Sequence, residues 1–343
     1  MHVLLFLSHA AQMETCGFGC DNAIVLKAPK KIYFITDGRY TTEAKEQVAP
    51  NVEVVDGGRS LGKTARLLLR ELGASSVSYD PKEWFVADFD ILTQNLKRVR
   101  FTPKPNLSQK LRTIKPSADL RLIEKAVKVG EKAFDTFVEF IKKEGIGMSE
   151  KALHHEALKH FTSSGEHEVS FSPIVAINSN AAKPHALPDE TKLQLGDLLL
   201  IDAGIKLDGF CSDRTRTVCV SAQMSASKKQ FFNNPKQQLV YETVLRAQEA
   251  AINIVKPGIS ANLVDKTARD VIEKAGFGRF FIHSTGHGVG RDIHELPAIS
   301  STCKTPLEIG MVFTIEPGIY LPNEFGVRIE DMLVVTKDGA RVL

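Results

Sequence analysis

The sequence predicts two domains, an α/β domain over residues 1–115 and an α+β domain with an antiparallel sheet flanked by helices over residues 116–343. Three observations lead there. At 343 residues the chain is longer than one hydrophobic core commonly serves. Short β-rich and helical runs alternate through its first part, until proline and polar residues interrupt the pattern between Pro105 and Pro116. Beyond that break, helices and strands run in blocks, as they do where α and β layers are segregated.

In chain order, Val3 to Leu7 is apolar but too short and too poor in basic residues before it for a secretory leader, so a buried strand or a helix start is expected. Ala23 to Lys27 and Ile32 to Thr36 read as strands joined by a hairpin turn at Ala28-Pro29-Lys30-Lys31. A helix over Thr42 to Val48, a strand over Val52 to Val55, a helix over Leu61 to Leu72 and a strand over Ser76 to Tyr79 follow. Pro81 to Leu96 then has apolar residues at helical spacing. In the second part, Ser117 is the expected N-cap of a long helix reaching Phe140, and Ser149 to Phe161 is another helix. Strands are expected over Ile174 to Ile177, Leu198 to Ile205 and Thr215 to Val220, then helices over Lys236 to Val255 and Ser260 to Ala275. Strands over Met311 to Ile315 and Arg328 to Val335 close the chain.

Bulk properties exclude several classes of function. A net charge of +3 is too small for a nucleic-acid binder, and no apolar run approaches the length of a membrane span. The five cysteines, Cys16, Cys20, Cys211, Cys219 and Cys303, are odd in number and scattered, which suggests no disulfide framework. With no export signal, a cytoplasmic protein is expected.

Gly57-Gly58-Arg59-Ser60-Leu61-Gly62-Lys63-Thr64 matches the phosphate-loop pattern between a strand and a helix. The run Leu198 to Asp202 would then supply a magnesium-binding strand, which makes an NTPase the rival reading. The plain alternative is a glycine-rich turn into a helix capped by Ser60, in a domain short for a nucleotide-binding core.

More demanding are acids set within apolar strands. Asp202 ends the run Leu198-Leu199-Leu200-Ile201, and Asp213 follows after the turn signal Asp208-Gly209. Glu316 and Glu330 sit in two further β-rich stretches on either side of the turn Leu321 to Phe325. His283, His287 and His294 crowd a glycine-rich segment. Each acid alone reads as a paired edge-strand carboxylate. Together, four buried carboxylates would repel unless cations offset them, and carboxylate with imidazole is the ligand chemistry of divalent metals. Two divalent ions against four carboxylates and one bridging hydroxide leave the site near neutrality, which suits a two-metal hydrolase. The oxygen-rich set favours Mn2+, with Co2+, Zn2+ or Fe2+ as alternatives.

The order Asp202, Asp213, His287 in His-Gly-Val-Gly, Glu316 in Thr-Ile-Glu-Pro-Gly, and Glu330 resembles the metallopeptidase family with the pita-bread fold, which has a curved antiparallel sheet flanked by helices. The resemblance implies that Asp202 binds one metal, Asp213 and Glu330 bridge two, and His287 and Glu316 complete the second. It also makes Glu316 a proton shuttle, and the complete ligand set disfavours a metal-free, creatinase-type reaction. Phe34 to Tyr40 with Glu43-Ala44 looks like the creatinase-like N-terminal domain of the proline-specific branch, and Leu111 to Pro116 resembles its linker. The segment before Ala23 departs from that branch, being short and unlike its usual start. His185, His283 and His294 match histidines that bind substrate there, His283 and His294 with catalytic roles, and Arg328 matches an arginine before the last glutamate. The implied activity is hydrolysis of the bond between a first residue and a following proline, by an Xaa-Pro aminopeptidase or, alternatively, an Xaa-Pro dipeptidase. Arg291 or Arg328 would receive a dipeptide's carboxylate, and Ala298 adds no charge there. The partners implied are peptides with proline in second place and a second copy of the chain in a homodimer.

Overall fold

The apolar opening run forms a strand, β1 (His2–Phe6), followed by α1 (His9–Cys16). β2 (Ala23–Lys27) and β3 (Ile32–Thr36) form the expected hairpin, and α2 (Thr41–Gln47), β4 (Val52–Asp56), α3 (Leu61–Glu71) and β5 (Ser76–Tyr79) continue in alternation. α4 (Val86–Thr93), β6 (Arg100–Pro103) and α5 (Leu107–Arg112) complete the series. The computed structural model describes all 343 residues and divides into two units, Met1–Arg112 and Thr113–Leu343.

In the first unit the strands make one sheet in the order β4-β3-β2-β1-β5-β6. β2 explains why it is covered on both faces: Ile24 and Leu26 enter a core with α3 and α4, and Ala23 and Val25 enter another with α1 and α2. The helix expected from Pro81 is shorter than its apolar spacing suggests. Asp80 accepts from the Lys82 and Leu107 main chains, and Glu83 from those of Leu7 and Ser8, so the chain turns there and becomes helical only at Val86.

The phosphate-loop match lies between β4 and α3, but its donors are consumed locally. The Gly57 N–H donates to Thr36 O (2.7 Å), the Gly58 N–H to Asp56 Oδ1 (2.9 Å) and the Thr64 hydroxyl to Gly57 O (3.1 Å). A carboxylate accepting from the loop is the wrong charge for a phosphate cradle. Ser60 holds the N-cap position without a side-chain cap bond.

The second unit opens with α6 (Ser117–Phe140), continued by a π turn over Ile141–Gly145. Pro116, not Ser117, occupies its N-cap position, with φ −57° and ψ 155°, and no side chain caps it. Proline's restricted φ supplies the extended entry, and Ser117 is already helical. α7 (Glu150–Phe161) is capped by Ser149, whose Oγ accepts from the Ala152 N–H at 3.3 Å. β7 (Glu168–Val169), β8 (Ile174–Ile177), β9 (Leu198–Ala203), β10 (Ile205–Leu207), β11 (Phe210–Cys211) and β12 (Arg214–Cys219) follow. The single strand expected over Leu198 to Ile205 is broken at Gly204, against which the Ser212 main chain packs. β10 and β11 turn through Asp208 (φ 50°) and Gly209 (φ 77°), the hairpin that brings Asp213 back toward β9.

After α8 (Pro235–Ile254) and α9 (Ala261–Lys274) come β13 (Gly286–Gly288), β14 (Glu295–Ile299), β15 (Val312–Ile315), β16 (Gly318–Leu321), β17 (Phe325–Arg328), β18 (Asp331–Thr336) and β19 (Gly339–Val342). Two antiparallel sheets, β12-β9-β8 and β14-β13-β15-β18-β19, carry the site. The expected strand over Arg328 to Val335 is likewise two strands, because the Glu330 N–H leaves the ladder to donate to Thr215 O (3.1 Å). One core packs α6 and α7 on Leu199, Ile201 and Val218, while another packs α8 and α9 on Leu198, Leu200, Phe313 and Leu333. No helix is long and apolar enough to cross a membrane.

Candidate metal centre

β9 is apolar along its length because its faces enter different cores, Leu199, Ile201 and Ala203 on one side and Leu198 and Leu200 on the other. Asp202 continues the Leu198-Leu200 face, 9% exposed. Its Oδ2 accepts from Arg328 Nη2 at 2.6 Å, and its Oδ1 is buried with no hydrogen-bond partner. Thr215 stands opposite Asp202 in the β9–β12 register, and its hydroxyl donates to Glu330 Oε2 (2.7 Å) while accepting from Arg328 Nε (3.1 Å). Asp213, just before β12, donates its N–H to Met332 Sδ (3.2 Å).

Glu316 follows β15 and is fastened by its own N–H to Thr285 O (2.8 Å) and by the Thr314 hydroxyl, which donates to its Oε1 (3.3 Å). His287 is the middle residue of β13. A Cβ on its neighbour Gly286 would lie 1.9 Å from Thr314 O, so only glycine lets β13 approach β15 this closely. The His287 N–H donates to Thr314 Oγ1 (3.2 Å), and Nδ1 lies 3.0 Å from Gly288 O. A carbonyl only accepts, so this contact assigns the ring proton to Nδ1 and leaves the Nε2 lone pair free. Nε2 faces Asp213 Oδ2 at 3.5 Å and Glu316 Oε1 at 3.4 Å.

The charge balance around these groups is unfavourable for the protein alone. Burial, with repulsion from Glu330, Asp202 and Glu316, pushes the Asp213 carboxyl well above its usual range. Burial and the charges of Glu316 and Asp202 do the same to Glu330. Glu316 is raised to about 8 by burial, with Arg328 opposing and Asp202 reinforcing. The histidines move the other way: burial, aided by His294, lowers His287 to about 4, and burial with the charge of Arg328 lowers His283 to about 4. Burial also lowers His294. Neutral imidazoles beside carboxylates that would otherwise hold protons form a donor set for divalent cations. One oxygen or nitrogen from each of Asp213, His287 and Glu330 lies within 4.8 Å of the others. The unpartnered Oδ1 of Asp202 is a further donor that no group of the protein satisfies.

All nine residues singled out from the sequence, Asp202, Asp213, His287, Glu316, Glu330, His185, His283, His294 and Arg328, line one cavity of about 440 Å³. They do not stand in it alike. His185 is exposed on the segment before β9, and His294 sets its ring edge-on to His287 with centroids 4.3 Å apart. His283 has both nitrogens engaged, Nδ1 with Ser284 O (2.8 Å) and Nε2 with the Tyr320 hydroxyl (2.9 Å). Arg291, considered as a receiver of the substrate carboxylate, does not line the cavity and lies over the Phe210 ring at 4.4 Å.

Three supporting residues escape sequence reasoning. Tyr320 accepts from Arg328 Nη1 (2.7 Å). Thr215 links Arg328 to Glu330. Asp265, fully buried on α9, pairs with Arg269 and accepts from the N–H and hydroxyl of Thr285, the residue before β13 whose carbonyl receives the Glu316 N–H. Tyr320 and Thr215 sit in β-rich runs where such residues are ordinary, and Asp265 reads as a surface helix acid.

The model of metallopeptidase family M24 matches residues 121–337. Over 342 residues the chain is 33% identical to the uncharacterized peptidase YqhT of Bacillus subtilis, covering 99% of this chain and 92% of that protein. Among solved structures it is similar to an X-Pro aminopeptidase from Thermotoga maritima, with a TM-score of 0.86 and 29% identity over 100% of this chain and 95% of that one. It is also similar to an Xaa-Pro dipeptidase from Bacillus anthracis, with a TM-score of 0.88 and 31% identity over 99% and 92% of the two chains. The second unit thus has the pita-bread fold, preceded by an α/β unit.

Proposed function

The chain belongs to metallopeptidase family M24, and from that premise we propose that it is an Xaa-Pro aminopeptidase, releasing the first residue of peptides with proline in second place. The observation that carries the aminopeptidase reading is the state of Arg328, the only lysine or arginine lining the cavity. It is 3% exposed, its charge is paired with Asp202, and it donates to Tyr320, Thr215 and Pro184 O, so no free cation is left for the carboxylate of a dipeptide. Likeness to the Bacillus anthracis dipeptidase favours the second reading, an Xaa-Pro dipeptidase.

Asp202, Asp213, His287, Glu316 and Glu330 would hold two divalent ions, with Mn2+ first because four carboxylates outnumber one imidazole. When bound, such ions polarise the scissile carbonyl and make a water nucleophilic at neutral pH. The protein's own groups do the rest. The substrate's terminal amine would be held on the Asp202 side of the cavity. His294, neutral and facing the cavity, donates its N–H to the carbonyl oxygen as negative charge grows there. His283, locked between Ser284 and Tyr320, forms a rigid wall with His185 for the proline ring. Glu316 carries a proton to the departing proline nitrogen. Five free thiols support a reducing, cytoplasmic setting, and the homodimer rests on family likeness.

The test compares Xaa-Pro with Xaa-Pro-Yaa peptides after chelation and readdition of single metals. Faster cleavage of the longer peptides is expected. Cleavage confined to dipeptides would transfer the assignment to the dipeptidase.

A further inference from the structure

Glu150, the first residue of α7, is fully buried although acids in a first helical turn ordinarily face water. The capping role is already filled by Ser149. The Glu150 carboxylate instead gathers three donors from one excursion of the chain, between β8 and β9. The Ile177 N–H donates to Oε1 (2.6 Å), and Asn180 Nδ2 and the Asp189 N–H donate to Oε2 (2.5 and 2.9 Å). It therefore grips the segment at its departure from β8 and again at its return. The Glu150 N–H to Thr191 O and the Lys151 N–H to Asp189 O reinforce the returning end.

Asn180 carries the grip inward. It is 4% exposed, its Nδ2 also donates to Leu187 O (3.0 Å), and its Oδ1 accepts from Lys183 Nζ (2.8 Å). Between these anchors lie Pro184, His185, Ala186, Leu187 and Pro188, all lining the cavity. On the opposite side, Pro184 O accepts from Arg328 Nη1 (3.3 Å), the arginine that holds Asp202. One wall of the cavity is thus registered to the metal-ligand side through Arg328 and to α7 through Glu150 and Asn180. Leu187 is 82% exposed at that wall, an apolar side chain with little protein around it.

We propose that Glu150 and Asn180 are positioning residues for substrate, forming a clamp that sets the 184–188 wall so that His185 and Leu187 meet the bound peptide. A buried carboxylate with no lysine or arginine among these partners costs free energy that an apolar residue would not, and burial accordingly raises its pKa against the three hydrogen bonds. The three hydrogen bonds it accepts, two of them buried, offset that cost. Because the clamp touches neither the metal ligands nor the scissile bond, its loss acts on binding rather than on the chemical step.

The proposal rests on the Xaa-Pro peptidase reading and is tested in the full Mn2+-loaded chain with Glu150→Gln, Asn180→Ala and the double variant. Glutamine brings N–H groups against the donors of Asn180 and Asp189. Asn180→Ala leaves Glu150 and its two main-chain donors in place while removing the Nδ2 bonds to Glu150 and Leu187 O and the acceptor of Lys183 Nζ, which keeps the test open if Glu150→Gln folds poorly. Each single variant should raise KM for Xaa-Pro-Yaa peptides about tenfold with kcat within about twofold, and the double should be no worse than the poorer single. Metal content should stay unchanged, and amide exchange should quicken in residues 185–187 while β9 stays protected. An unchanged KM, a fall in kcat alone, or unaltered exchange in 185–187 overturns the clamp. A wild-type protein that cleaves no proline peptide would defeat the peptidase reading instead, and the exchange measurement would still judge the clamp.

Discussion

Gly57 to Thr64 in the first unit satisfies a ligand-binding pattern over eight consecutive residues, whereas the acids of the second unit are strewn from Asp202 to Glu330. The scattered set converges on one cavity, whereas Gly58 to Gly62 line another whose acids, Asp21, Glu83 and Asp88, have the wrong charge for a phosphate. Arg59 and Lys63 stand in solvent, and the nearest acid, Asp56, is exposed and already accepts from Gly58. Asp213 and Glu330 are 7% and 2% exposed, with three further ionisable groups, His287, Glu316 and Asp202, beside them. A loop pattern is tolerated wherever a turn meets a helix. Placing carboxylates in apolar strands costs several kcal/mol per ion and persists only where something offsets the charge. Uncompensated burial, more than the match to a pattern, distinguishes the two regions.

The sharpest way to break that contrast is to neutralise one member of each. Asp213→Asn or His287→Ala should lower kcat/KM on an Xaa-Pro-Yaa peptide on the order of 10³-fold or more, because on the proposed function these residues would hold the ions that activate the nucleophile. Full activity in either variant would refute the centre. The supporting hydroxyl comes next. Thr215→Val leaves every ligand in place but removes the bond to Glu330 and the acceptor for Arg328, and should cost roughly 10–100-fold in metal affinity or activity.

A pH effect follows from the same charges. In the metal-free protein Asp213, Glu330 and Glu316 lie above their ordinary values, Glu316 at about 8, while His287, His283 and His294 lie below theirs; the two sets oppose each other up to about pH 6.5, and from there to about pH 8 the folded state binds more protons than the unfolded chain. Stability therefore falls as pH rises through that upper window, and the Tm of stripped protein should drop between about pH 6.5 and pH 8. Divalent metal replaces those protons, so the gain in Tm on adding Mn2+ should be larger at pH 8 than at pH 5; a stripped protein that gains stability with rising pH in that window contradicts this. Smallest of all is the effect expected in the first unit. Lys63→Ala should leave peptidase rates within about twofold, as for an exposed side chain away from the cavity. Nucleotide hydrolysis that disappears in that variant would restore the rival site.

The elements that place the site were legible where local chemistry decides them. Leu198 to Ile201 ending in Asp202, the Asp208-Gly209 turn, and glycines flanking His287 are local signals that act as written. What stayed hidden depends on partners far along the chain. The break after Arg328 arises because the Glu330 N–H finds Thr215 O, and Glu150 matters only because Ile177, Asn180 and Asp189 return to it. Likewise the engagement of both His283 nitrogens is visible only once Tyr320 is placed beside it. Periodicity also says nothing of where a helix begins, which is why Pro116 displaced Ser117 at the cap and Asp80 and Glu83 delayed α4.

The central claim is a dinuclear metal site built from buried charge. Its most direct measurement is equilibrium dialysis of chelator-stripped protein against Mn2+, counting bound ions per chain in the wild type and in Asp213→Asn. Two ions per chain in the wild type, with binding weakened in the variant, is the expected result; a wild-type plateau at one or none, or a variant that binds as well, would contradict it.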